Sequence, residues 1–237
     1  MIILAVDSSA VAASAALVQD GKILGEFYCN NGLTHSRTLM PMIRGLLETA
    51  RVPLKGVDLL AVSAGPGSFT GIRIGIASVK GLAMPENKPC AGISTLEAIA
   101  QNLSHLTGTA CAVMDARCKQ VYNAVFTLNG SSPERLTPDR AVPIAELAEE
   151  CKKYPKPIFL VGDGAKLCYN NTGCQAVEAV LPPETLIFQR ASGVARSAEA
   201  VFRNGGAVSP SALVPVYLRP AQAERSLKRK TAPFQNK

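Results

Sequence analysis

Residues 58–84 read DLLAVSAGPGSFTGIRIGIASVKGLAM. The apolar run from Asp58 to Ser63 ends in the turn Gly65-Pro66-Gly67-Ser68, after which apolar residues recur at helical spacing. The stretch therefore predicts strand, tight turn, helix. Gly65 and Gly67 open backbone angles closed to other residues, and Ser68 is placed to cap the first free amides of the helix. Such a turn suits an anion or a substrate held at a helix N-terminus.

Within that helix Gly71, Gly75 and Gly81 each cost about 1 kcal/mol relative to alanine, so three of them imply a return from close approach. Ile72, Ile76 and Val79 supply one apolar stripe beside them. Small residues next to a stripe fit a helix lying tightly on another, either within the chain or across a subunit interface. Two better-known phosphate turns are excluded. A P-loop needs Lys-Ser or Lys-Thr after its last glycine, whereas Ile72-Arg73 follow Gly71. Gly65, Gly67 and Gly71 imitate the dinucleotide fingerprint with a last gap one residue too long.

The surrounding chain is that of an ordinary globular protein. With 237 residues and 47% hydrophobic content it can bury a full core as one large domain or two small ones. MIILAV lacks a basic leader and is broken by Asp7, so it predicts a buried strand and not a signal peptide. No apolar run approaches the roughly 20 residues that span a bilayer, so no membrane association is expected. Seven cysteines without Cys-x-x-Cys spacing indicate neither a disulfide framework nor a zinc site and fit a reducing cytoplasm. Cys111 and Cys118 read as small core or turn residues. The net charge is +7, but five of those charges lie from Arg219 onward, leaving the body nearly neutral. A basic end of this kind is either a solvated tail or a weak, salt-sensitive contact for RNA or an acidic partner.

Taken in order, Ile2 to Val6 is a strand ending at Asp7, Ser8-Ser9-Ala10 turns, and Ala12 to Gln19 is a second strand joined by the hairpin signal Asp20-Gly21 to a third, Lys22 to Cys29. Leu39, Met42, Ile43, Leu46 and Leu47 then recur at helical spacing, with Pro41 expected near the helix start or at a kink. After the central strand and helix come a strand around Cys90 to Ile93 and a helix from Thr95 to Leu103. From Ala110 the order begins again: Cys111 to Met114 ends at Asp115, Ala116 to Lys119 turns, Gln120 to Leu128 is a strand, and Asn129-Gly130 repeats the hairpin signal. An amphipathic stretch, Ile144 to Cys151, precedes the apolar strand Ile158 to Val161, which ends in Gly162-Asp163-Gly164. Such a repeat argues for two similar α/β lobes, each a mixed sheet with flanking helices, with a cleft between them. This is the plan of the actin-like, sugar-kinase and Hsp70-ATPase superfamily. The expected division is a first lobe over 1–107 joined by a closing segment at 215–230, a second lobe over 108–214, and a basic tail at 231–237.

LAVDSSAVAASAALVQDGKIL at the start, THSRTLMPMI, VSAGPGSFTGIRIGIASVKGLA and the late PVYLRPAQAE together resemble the TsaB family, formerly YeaZ, over most of the chain and in the right order. The resemblance implies a cytoplasmic role in making N6-threonylcarbamoyladenosine at position 37 of tRNAs that read codons beginning with A. It implies pairing with the catalytic, metal-binding paralogue TsaD and joining by the ATPase TsaE. It also implies self-pairing as a homodimer in isolation, and contact with tRNA only through the complex. The partner interface it suggests uses Leu39, Met42, Ile43 and Leu46 of one helix and Gly71, Ile72, Gly75, Ile76 and Val79 of the other. The closing segment, with a short helix over Ala221 to Leu227, is expected to pack back on the first lobe.

The departures from the catalytic paralogue suit a noncatalytic scaffold. TsaD-like proteins carry His-x-x-x-His where this chain has Thr95 and Ile99, and neither residue replaces imidazole on a divalent metal. No metal of its own is therefore expected. An older family description as a metal-dependent glycoprotease fails on the same ground, because a zinc peptidase needs about three ligands and a base, and His35 and His105 are the only histidines. The alternative is a nucleotide-dependent enzyme of small-molecule kinase type, whose cleft would be lined by Asp7, Ser8, Ser9, Gly65, Gly67, Asp115, Gly162 and Gly164. The turn after Asp7 offers no lysine or arginine to steer a triphosphate. Any ATP or ADP binding is thus expected to be weak or dependent on the partner.

Overall fold

A computed structural model describes residues 1–170 and 172–219. Asp20 and Gly21 take φ values of 47° and 79°, the left-handed pair that a two-residue hairpin requires. They join β2 (Ala13–Gln19) to β3 (Lys22–Cys29). β1 (Ile2–Asp7) pairs antiparallel with β2 and parallel with β4 (Leu59–Gly65), which in turn pairs parallel with β5 (Cys90–Ser94). The resulting order is β3-β2-β1-β4-β5.

Alternation along these strands feeds two cores, because successive side chains point to opposite faces. Leu4, Val6, Leu60 and Val62 face α1 (His35–Ala50) and α2 (Phe69–Ala83), which cover one side. Ile3, Ala5, Leu59 and Ala61 face the other side, where Ala191, Val194, Ala195 and Ala198 of a late helix, Ala191–Arg203, close the layer. α1 runs through Pro41 without ending there; that residue is exposed.

The second sheet repeats the first in reduced form. β6 (Thr107–Asp115) pairs antiparallel with β7 (Gln120–Asn129), which carries two short strands, β8 (Glu134–Arg135) and β9 (Arg140–Pro143), where the first lobe has one long one. β10 (Ile158–Val161) adds parallel to β6. In the place of a fifth strand a single parallel bridge joins Phe159 to Val180. The two orders correspond strand for strand up to that point, which is the actin-like plan.

α3 (Thr95–Ala100) lies between the lobes. Its Ala98 packs with the late helix on the first sheet, while Leu96 and Ile99 pack on Phe126, Ala112 and Met114 of the second. The outer face of the second sheet is covered by α4 (Ile144–Cys151), α5 (Ala165–Tyr169) and α6 (Thr172–Ala176), with Cys111, Cys151, Cys168 and Cys174 all buried in that core. A short helix, α7 (Glu184–Ile187), leads to the late helix, α8 (Ala191–Arg203).

The assignment of residues 108–214 to the second lobe does not hold for α8, which packs against β1, β2, β4 and β5 of the first. Its alanine-rich stripe fits the small side chains of that sheet face, so the chain returns to complete the lobe where it began. Of the closing segment, residues 215–219 are described. The helix expected over Ala221 to Leu227 and the basic tail at 231–237 lie outside the described residues.

Candidate functional site: the cleft between the lobes

Each lobe's first strand ends in an aspartate, and the two stand in unlike surroundings. Asp7 is fully buried: it accepts hydrogen bonds from the Ser9 amide at 2.9 Å, from the Ser9 hydroxyl at 2.8 Å and from the Ser63 hydroxyl. Burial pushes its carboxyl above the usual range, against the pull of those donors. Ser8 is buried as well and donates to the Gly71 carbonyl at 2.8 Å. Both residues lie beneath the cleft floor, tying β1 to β4 and to the start of α2. Ser9 does reach the cleft, and its carbonyl accepts from the Ser68 amide at 2.6 Å.

Across the gap, Asp115 accepts from the Arg117 amide at 2.7 Å and pairs with its guanidinium at 3.1 Å. Asp163 accepts from the Asp115 amide at 3.2 Å. Burial first, then the neighbouring charges of Asp115 and Asp7, raise the Asp163 carboxyl to about 6. Arg117, Cys118 and Lys119 take φ values of 64°, 56° and 57° in succession, making the turn that presents Arg117 to the cleft.

The cleft encloses about 840 Å³. Of the residues expected to line it, Ser9, Gly67 and Asp115 do so. Gly65, Gly162 and Gly164 act from behind. A Cβ at Gly65 or Gly162 would collide with the carbonyl of Val216 or Val113, and one at Gly164 would lie 3.0 Å from Met114 C. Gly65 lets the closing segment lie on the end of β4, and Gly162 and Gly164 let the chain after β10 close on the end of β6. Arg219, Tyr217 and Phe69 also line the cleft and were not anticipated as a group. They come from distant parts of the chain, so only the match in position of PVYLR to a closing segment could have signalled them.

The nine residues expected to form a partner interface fare differently. Leu39, Ile43, Leu46, Ile72, Ile76 and Val79 are buried in the first-lobe core, and Met42 packs at its margin. Gly71 would collide through a Cβ with the Ser8 carbonyl, and a Cβ at Gly75 would lie 2.7 Å from Ser8 Oγ and 3.1 Å from Val62 Cγ2. The stripe therefore serves packing within the chain, the first of the two roles the sequence left open. What these helices present outward is Arg37, Met40 and Arg44 on α1 and Arg73, Ala77 and Gly81 on α2, with Met84 just beyond. Arg73 projects over Phe69, 3.8 Å from its ring centroid.

At the positions where the catalytic paralogue is expected to carry imidazoles, Thr95 and Ile99 are buried in the interlobe layer. His35 holds the Ala10 carbonyl at 2.7 Å, and His105 is exposed. Among the described residues no group of three or more His, Cys, Asp or Glu side chains is placed to hold a metal ion.

A Bacillus subtilis protein called tRNA threonylcarbamoyladenosine biosynthesis protein TsaB is 31% identical to this chain over 226 residues, covering 94% of this chain and 96% of the relative. The chain belongs to the TsaB family. An Escherichia coli TsaB of the same description is 39% identical over 129 residues, 53% of this chain and 55% of its own length. Residues 31–216 also match the family model described as TsaD: tRNA N6-adenosine threonylcarbamoyltransferase. Among solved structures, YeaZ from Pseudomonas aeruginosa superposes with a TM-score of 0.72 at 29% identity, covering 92% of this chain and 99% of that one. A second structure from that organism, described as similar to the peptidase YeaZ, gives 0.74 at the same identity and coverage. The two-lobed architecture is thus that of the TsaB family, and the buried serine and glycine contacts around Asp7 are part of how this member builds it.

Proposed function

We propose that this protein is a noncatalytic subunit in the formation of N6-threonylcarbamoyladenosine at position 37 of tRNAs reading codons that begin with A. In this role it pairs with a TsaD-type paralogue and works with a TsaE-type ATPase, meeting tRNA through the assembled complex. The observation that carries this role is the alignment with a TsaB relative over nearly the whole of both chains. The inward-facing Thr95 and Ile99 support a division of labour in which the metal and the transfer chemistry belong to the partner. The outward faces of α1 and α2, and not their buried stripes, are the surface offered to the paralogue, and to a second copy when the chain is alone.

Light scattering on the chain alone and mixed with the TsaD-type protein of the same organism, followed by tRNA modification with and without it, tests this function. A heterodimer with dependent modification is the expected result; a chain that neither binds nor stimulates overturns it. Turnover of ATP by the isolated chain would favour the kinase-type alternative, to which the cleft contributes Asp115, Asp163 and Arg117.

A further inference from the structure

The core of the second lobe holds a cluster of thiols that the cleft does not use. Cys111 on β6, Cys151 on α4, Cys168 on α5 and Cys174 on α6 are each at most 1% exposed, pack in one cluster, and are all free. They fall into two hydrogen-bonded pairs, Cys111 with Cys151, and Cys168, whose thiol donates to Cys174. The two pairs are held very differently. Cys111 stands in mid-strand between Val125 of β7 and Leu160 of β10, and its sulfur accepts from Asn123 Nδ2 at 3.3 Å. Cys168 and Cys174 lie on consecutive five-residue helices that touch one another, and the flanking Leu167, Tyr169, Gln175 and Ala176 are exposed. Helices that short do not hold themselves. Local opening of this thin cover therefore brings the second pair to solvent at lower cost than unpicking the sheet around the first.

We infer that Cys168 and Cys174 are a peroxide-responsive dithiol that closes to a reversible disulfide, tying α5 to α6. The hydrogen bond between them sets the order of attack. Because Cys168 donates its S–H, the Cys174 thiol is held below its usual range and that of Cys168 is pushed up, so Cys174 supplies the first thiolate. Its sulfur attacks one oxygen of hydrogen peroxide; the O–O bond breaks, hydroxide leaves and takes up the thiol proton as water, and Cys174 becomes the sulfenic acid. The Cys168 sulfur then attacks the Cys174 sulfur. The S–S bond forms as the S–O bond breaks, and the departing hydroxide takes the Cys168 proton as a second water. Two thiols lose two electrons and one peroxide gains them. The new bond closes a short loop and restrains α5, which follows directly on Gly162-Asp163-Gly164 at the edge of the cleft. This inference depends neither on the pairing nor on the tRNA role proposed above.

The test treats the full chain with hydrogen peroxide, unfolds it in iodoacetamide to alkylate every remaining thiol, and digests it with trypsin. No lysine or arginine lies between Leu167 and Gln189, so both cysteines fall in the single peptide 167–190. Mass spectrometry should show that peptide losing both alkylation sites together, two hydrogens lighter than the free dithiol, before Cys111 and Cys151 are lost. Dithiothreitol should restore both sites. Cys118→Ser removes an exposed thiol and should leave this result unchanged, which sets aside exchange through Cys118. With Cys168→Ser, Cys174 should pass on to a sulfinic acid that dithiothreitol does not restore; if that variant does not fold, the wild-type peptide decides alone. Both sites still alkylated once Cys118 is oxidised would overturn the inference. So would a Cys111–Cys151 disulfide that appears first, or a peptide that gains oxygen without losing the two hydrogens.

Discussion

Asp163 carries the clearest consequence at the level of a single side chain. Its carboxyl is raised to about 6 because it is largely buried beside Asp115 and within range of Asp7. A carboxylate whose folded pKa exceeds its unfolded value stabilises the fold at low pH, below the unfolded value near 4, and that contribution is lost as pH rises through 6. The shift is about two units, worth about 3 kcal/mol between pH 4 and pH 8. Asp163→Asn keeps an oxygen for the Asp115 amide and removes the charge. Urea titrations should show the variant gaining about 1–3 kcal/mol over wild type at pH 8 and nothing at pH 4. A difference that does not vary with pH would mean that the carboxylate is solvated in solution. The positions of Asp7 and Asp115 were legible because each closes an apolar run before a turn. Their inequality was not, since the hydroxyl that holds Asp7 comes from Ser63, 56 residues away.

At the scale of the helix, the three glycines of α2 divide into two kinds. Gly71 and Gly75 stand where β1 and β4 press against the helix, whereas a Cβ added at Gly81 would meet open space, with nothing within 4 Å. Gly71→Ala should therefore lower stability by about 2 kcal/mol or more, since the Ser8 carbonyl it meets is backbone and cannot swing aside. Gly81→Ala should raise it by about 1 kcal/mol through helix propensity alone. Thermal melts of the two variants moving in the same direction would contradict this division. Gly75→Leu, which an interface at the apolar stripe would leave folded, is expected to cost at least as much as Gly71→Ala. Strand, turn and helix were readable here because the period of apolar residues changes from two to 3.6 across Gly65–Ser68. Which partner the stripe faces was not readable, because a period locates a buried face without saying what buries it.

For the whole molecule, the pairing proposed above would use the outward surface of α1 and α2. Ala77→Arg places a long cation on an exposed position, so it should leave the melting temperature within about 2 °C of wild type. It should also weaken binding to the TsaD-type protein by at least 10-fold, as read by calorimetry, with tRNA modification falling in step. Full affinity in the variant would move the interface elsewhere. The duplicated plan was legible from the hairpin signals Asp20-Gly21 and Asn129-Gly130 and from the paired aspartates. The return of α8 to the first sheet was not legible, because an alanine-rich amphipathic helix suits either lobe equally well.

That return sets an order of events during synthesis. The face of the first sheet formed by Ile3, Ala5, Leu59 and Ala61 has no complete cover until α8, ending at Arg203, has left the ribosome. A nascent chain extending through β10 already contains β1–β10, yet it still lacks the helix that covers that apolar face. Domains usually fold as units from the N-terminus during translation; here the lobe made first is the one finished last.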